Sequence, residues 1–195
     1  TPPVGCAVRT ENPMMNVTFE ERPSLHGYRI GIASLDAEKS LNALTLPMIE
    51  ALDAQLRQWA EDDGIACVLL RGNGPKAFCA GGDVVQLVHQ CREHPGEVPP
   101  LARRFFADEY RMNAAIADYP KPIVAFMQGF VMGGGVGVGG HASHRVVGDT
   151  TQIAMPESGI GLIPDVGGTW LLSRAPGRIG EYLALTGARM GAGDA

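Results

Sequence analysis

Three consecutive glycines, Gly133-Gly134-Gly135, lie inside the stretch Pro122–Gly168, which constrains this chain more than any other part of it. Before them comes Ile123–Met127, apolar and of strand length. After them comes a short run of valines and glycines ending at His141. A backbone without Cβ atoms can approach another group closely. Farther on, Glu157 and Asp165 sit among Ile153, Ala154, Met155, Ile160, Leu162 and Ile163. Acids in apolar company are either paired or functional.

Size and charge narrow the surroundings of this stretch. The chain has 195 residues, 45% of them hydrophobic, enough for one medium domain with a real core. A net charge of −5 argues against a nucleic-acid partner bound through a basic face. No apolar run reaches membrane-spanning length, so no membrane partner is expected. The first residues, Thr-Pro-Pro-Val-Gly-Cys, do not have the make-up of a signal peptide. The four cysteines (Cys6, Cys67, Cys79, Cys91) lack CxxC spacing and are expected to be free thiols of a reducing compartment. His141 and His144 are three apart with no third ligand spaced to join them, so no metal site is expected.

Taken in order, residues 1–14 suggest a loose leader and 15–195 a core domain, the N-terminal portion of a longer chain. Asn16–Glu20 and Tyr28–Leu35 suggest a hairpin opening. Thr45 is placed to cap a helix whose apolar positions are Ile49, Leu52, Leu56 and Trp59. Ile65–Leu70 is expected to be a buried strand, and Val84 to about Cys91 a helix capped by Asp83. An exposed loop over Glu93–Pro100 and a helix over Leu101–Asp118 follow. Ile123–Met127, Arg145–Gly148 and Thr151–Ala154 suggest further strands, and Thr169–Arg174 and Gly180–Leu185 two short helices. This alternation is that of an α/β protein. The Gly-Asp at 193–194 looks like the start of a helix, so a C-terminal helical part is expected to be missing.

The two glycine turns, Gly81-Gly82 and Gly133-Gly134-Gly135, each follow a strand and precede a helix. Backbone N–H groups there can receive an anion, and two such turns on neighbouring strands can aim one N–H each at a single oxygen. That arrangement stabilises the charge developing on a carbonyl. Close helix–strand packing alone would also use these glycines. A carboxylate in an apolar setting, such as Glu157, has a raised pKa and can serve as base, acid or nucleophile.

Five motifs in this order, Ser40-Leu-Asn-Ala-Leu44, Ala77-Phe-Cys-Ala-Gly-Gly-Asp83, Lys121-Pro-Ile-Val-Ala125, Gly129–Gly135 and Ile163-Pro-Asp-Val-Gly-Gly168, resemble the crotonase (enoyl-CoA hydratase/isomerase) superfamily from about Val17 onward. The resemblance implies a spiral of repeated β-β-α units and an acyl-CoA thioester as substrate, with no cofactor beyond the CoA that the substrate carries. It implies an oxyanion hole from the N–H groups of Gly82 and Gly134. The CoA part would be held by Asn42, Ala43 and Leu44 and by the backbone of Phe78, Ala80 and Gly81. A trimer or hexamer would be usual.

Within that superfamily the acids decide the reaction. Hydratases use two glutamates, one of them two residues after the triple glycine; here that position is Gly137. The run Phe105–Asn113, together with Ala154-Met-Pro-Glu157 and Pro164–Gly168, is similar instead to the 3-hydroxyisobutyryl-CoA hydrolase subfamily of valine degradation. There the equivalents of Glu157 and Asp165 are catalytic, and those of Glu109 and Gly134 contact substrate. Hydrolysis of a short branched 3-hydroxyacyl thioester is the expected activity, with an enoyl-CoA isomerase or hydratase as the alternative. A bacterial cytoplasm, or a mitochondrial matrix after processing, is the expected location.

Overall fold

A computed structural model describes residues 8–12 and 16–195. The stretch expected to be a leader falls mostly outside these residues. Its described part is not loose: β1 (Val8–Asn12) pairs antiparallel with β2 (Val17–Pro23). Cys6 also lies outside the described residues; Cys67, Cys79 and Cys91 are free.

β2 turns back into β3 (Arg29–Leu35), so the hairpin forms as expected. Helix α1 (Leu46–Glu61) then crosses to β4 (Ile65–Gly72), which pairs parallel with β3. The buried face of α1 carries Leu46, Met48, Ile49, Leu52, Leu56 and Trp59, the helical spacing seen in the sequence. Thr45 does stand at its N-cap, but its side chain makes no capping bond.

From β4 onward the chain alternates between two sheets. It runs through β5 (Ala77–Cys79), α2 (Val84–Glu93), α3 (Pro100–Ala117), β6 (Ile123–Met127), β7 (Phe130–Met132), α4 (Gly134–Gly140), β8 (His144–Val147) and β9 (Gln152–Ala154). β4, β6 and β8 add successively to a six-stranded sheet ordered β1-β2-β3-β4-β6-β8. β5, β7 and β9 form a separate parallel sheet in that order. Each repeat thus contributes one strand to each sheet, which is the spiral of β-β-α units. Asp83 caps α2 by accepting the Gln86 N–H at 3.2 Å. After a 3-10 turn at Pro156–Ile160 come α5 (Gly168–Leu172) and α6 (Ile179–Thr186).

The core lies between the larger sheet and helices α1 and α3. Ile65, Val68 and Leu70 are buried there, as are Ile123, Ala125 and Met127. β4 is thus largely buried, as expected, although Ala66 is exposed. On the next strands the paired Phe126 and Val146 are also exposed. Among the described residues no helix is long and apolar enough to cross a membrane.

Candidate active site

The parallel pair β5–β7 brings the two glycine turns side by side. At the first turn, Leu44 donates its N–H to Gly81 O at 2.8 Å and accepts the Asp83 N–H at 2.8 Å. Both groups of Leu44 therefore engage the neighbours of Gly82. In a parallel bridge of this kind the N–H of Gly82 itself faces away from Leu44. Ala80 donates to Leu41 O, which fastens the whole 41–44 loop to the turn. Asn42, Ala43, Leu44, Phe78, Ala80 and Gly81 are thus gathered in one place.

Asn42 differs from its expected role of holding CoA. Its side chain accepts from Ala37 N and donates to Asn73 O and Ala77 O, and the residue is 1% exposed. The amide shapes the loop and is not free for a ligand. Phe78 and Leu44 are buried in the core, which leaves Ala43, Ala80 and Gly82 as the partly open members.

The second turn requires glycine for reasons of space. Gly133 has φ +47, and a Cβ there would stand 2.7 Å from Glu157 Oε1. On Gly134 a Cβ would collide with Glu109 Oε1 and lie 3.3 Å from Gly82 N. As the first residue of α4, Gly134 has an N–H with no partner inside the helix. Two backbone donors and two carboxylates thus converge on one small volume.

Asp165 completes the acid cluster. Tyr110, next to Glu109 on α3, donates its hydroxyl to Asp165 Oδ2 at 2.7 Å. Burial, hydrogen bonding to Asp165 and the nearby negative charges raise the Tyr110 pKa, so it remains the donor. Glu109 is 2% exposed and Glu157 7%. Burial, then the charges of Asp165 and Glu157, push the Glu109 carboxyl up to about 8. Burial, partly offset by a backbone hydrogen bond and reinforced by Asp165, pushes Glu157 up to about 7. Glu109 Oε1, Glu157 Oε2 and both amide atoms of Asn113 are buried without hydrogen-bond partners among the described residues. Buried polar atoms are usually satisfied, so this concentration of exceptions marks a place for a polar ligand.

Next to Asp165 the backbone is held in an unusual shape. Val166 has φ +46 and is 3% exposed. A β-branched residue there is strained. His141 Nε2 lies 2.8 Å from Val166 O. A carbonyl can only accept, so the imidazole carries its proton on Nε2 and donates. A cavity of about 530 Å³ adjoins this loop, lined in part by Tyr110, Asn113, His141, Val166 and Trp170. The sequence pointed to neither Tyr110, Asn113 nor Val166, and it raised His141 only as a metal ligand. The usable signal was the i, i+4 spacing of Glu109 and Asn113 on an otherwise apolar helix face.

A family model described as enoyl-CoA hydratase/isomerase matches residues 30–195. The mitochondrial 3-hydroxyisobutyryl-CoA hydrolase of Xenopus tropicalis is 46% identical over 164 residues, which are 84% of this chain and 42% of that protein. Its human counterpart is 42% identical over 160 residues, or 82% and 40%. The chain therefore spans about two fifths of the length of these curated relatives. Among solved structures, a Rhodobacter sphaeroides enoyl-CoA hydratase superposes with a TM-score of 0.83 at 50% identity, covering 92% of this chain and 51% of the other. A carnitinyl-CoA dehydratase from Mycobacterium thermoresistibile gives 0.80 at 52%, covering 85% and 47%. These relatives carry different reaction names but share one fold, and the chain belongs to the enoyl-CoA hydratase/isomerase family.

Proposed function

We propose that the protein hydrolyses a short 3-hydroxyacyl-CoA thioester, with 3-hydroxyisobutyryl-CoA as the favoured substrate and valine breakdown as its setting. The observation that carries this reading is the company Glu157 keeps. Its carboxylate stands against Gly133, the residue before Gly134, whose own position adjoins Gly82 N, and Asp165 is the neighbouring acid. Position 137, where a second acid for hydration would be carried, has no room for a side chain: a Cβ there would meet Val166 at 2.7 Å and Asn113 at 2.8 Å.

In this reading the thioester carbonyl oxygen lies between the two N–H groups, which hold the negative charge of the tetrahedral intermediate. Glu157 either attacks the carbonyl carbon itself or takes a proton from a water that does. In the water-activating route the C–S bond breaks and the leaving thiolate receives the proton that Glu157 took from the water. In the covalent route the thiolate leaves as Glu157 is acylated and is protonated only by the proton that the later, hydrolytic water gives up. In the covalent route a second step adds water to the acyl–Glu157 anhydride. Asp165, oriented by Tyr110, positions that water or shares its proton. Glu109 contacts the acyl part, and the 41–44 loop with the backbone of residues 78–81 holds the CoA part. The names of the curated relatives also favour hydrolysis.

The alternative is an enoyl-CoA isomerase that shuttles a proton on Glu157 alone. Asp165, paired with Tyr110 and close enough to influence Glu157, speaks against it. Incubation with 3-hydroxyisobutyryl-CoA and, separately, a 3-enoyl-CoA tests both. Free thiol from the first is the expected result. Bond migration in the second with no thiol from the first would replace hydrolysis by isomerisation.

A further inference from the structure

Asn113 stands one helical turn beyond Glu109 on the buried face of α3 and is 4% exposed. Neither Oδ1 nor Nδ2 has a partner among the described residues. An amide brings one acceptor and two donors, and a buried group left unsatisfied is costly to the fold. Asn42 shows how this chain treats a buried amide with a structural task, engaging it with three backbone groups. Asn113 is equally enclosed and engages none.

Its position gives the open valences a use. The amide lies against Gly137, with Nδ2 and Oδ1 at 2.8 and 3.0 Å from where a Cβ would be. Gly137 is one turn along α4 from Gly133 and Gly134. The same side chain lines the cavity of about 530 Å³ that touches Tyr110 and Val166, the two residues flanking Asp165 in space and in sequence. The amide therefore lies beside α4 about one turn, roughly 5 Å, along the helix from Gly134. An acyl chain whose carbonyl rests on the N–H groups of Gly82 and Gly134 extends its next carbons across that interval.

We propose that Asn113 is a specificity-determining residue whose side-chain amide binds a hydroxyl on the acyl part of the thioester. Oδ1 accepts the hydroxyl proton and Nδ2 donates to the hydroxyl oxygen. A hydroxyl is donor and acceptor at once, so one group answers both halves of the amide. A bound water would offer the same pair of bonds, and the experiment separates the two sources. The inference rests on the site being an acyl-thioester site, as proposed above, but not on the thioester being hydrolysed.

The test measures binding in the Glu157→Gln protein by titration calorimetry, using 3-hydroxyisobutyryl-CoA and isobutyryl-CoA, which differ only in the hydroxyl. The hydroxylated thioester is expected to bind at least about tenfold more tightly. Adding Asn113→Leu, which keeps the size and removes the bonds, is expected to bring the ratio of the two affinities to within about twofold of one, the loss falling on the hydroxylated compound. Survival of the original ratio would assign the hydroxyl to another residue. Equal weakening of both thioesters would mean that the amide holds water or supports the fold, and a ratio of one before Asn113 is changed would also overturn the proposal. Circular dichroism checks folding, and Asn113→Ala replaces the Leu variant if that one does not fold. Failure of the unsubstituted protein to release thiol would remove the hydrolase reading, while the affinity ratio would still decide this one.

Discussion

Gly137 and Val166 share one space: a Cβ on Gly137 would stand 2.7 Å from the Cβ of Val166. In an exposed helix, Gly→Ala gains about 1 kcal/mol. Here overpacking costs about 1–3 kcal/mol, and the buried setting lets crowding win. Gly137→Ala is therefore expected to lower the melting temperature by roughly 2–6 °C. Gly137→Glu should destabilise the protein further and should not create hydration of a 2-enoyl-CoA, because the carboxylate cannot be seated. Both are read by thermal unfolding and an absorbance assay on the enoyl thioester. A Gly137→Glu protein that is as stable as the parent and hydrates would show that Val166 and Asn113 yield easily.

Glu157 must be ionised to attack or to take a proton, yet its carboxyl is pushed up to about 7. Its active form is therefore depleted as pH falls through neutrality. The kcat/KM for thioester hydrolysis is expected to fall about tenfold per pH unit well below pH 7, with half of its plateau near 7. Glu157→Gln should reduce turnover by about 10²–10⁴ while a CoA ligand still binds. A flat profile between pH 5 and 8, or near-full activity of the Gln variant, would take the reaction away from this carboxylate.

The parts of this site that the sequence disclosed are those with local signals. Glycine triplets and apolar runs of strand length stand out by themselves, so β4, β6 and both glycine turns were legible. β5 and β7 were not, because three-residue strands become strands only through pairing such as Ala77 with Phe130. Glu157 and Asp165 stood out as acids in apolar surroundings, whereas Glu109 entered only through resemblance, being one of several charges on an amphipathic helix. The Tyr110–Asp165 bond joins residues 55 apart in the chain. Val166 was hidden more completely, since a β-branched residue is among the least expected at positive φ.

That strained valine is held by His141. The imidazole Nε2–H binds Val166 O, so it fixes the loop on which Asp165 sits. Strained backbone persists where its surroundings over-determine it. His141→Ala is expected to lower kcat about tenfold or more, with KM changed less than threefold, because Asp165 is displaced while the CoA contacts are untouched. His141→Gln, whose amide N–H can reach the same carbonyl, should recover much of the loss. A drop in stability with kcat unaltered, or no recovery with Gln, would confine His141 to packing.

Glu109 carries a stability consequence that is independent of turnover. Its carboxyl keeps its proton up to about pH 8 in the folded protein, against a usual value of 4.5, mainly because it is buried. The unfolded chain therefore binds fewer protons between those limits. Stability from this group is complete below pH 4.5 and is lost as pH rises through 8. Glu109→Gln keeps the shape and removes the ionisation. Its melting temperature relative to the parent should be nearly unchanged at about pH 4 and higher by roughly 10 °C at pH 9, where the parent must bury a charge beside Asp165 and Glu157. The parent should retain the larger fall in melting temperature across this range, and the variant a smaller one set by Glu157. Parallel curves for the two proteins would mean that Glu109 is already ionised in the folded state at neutral pH.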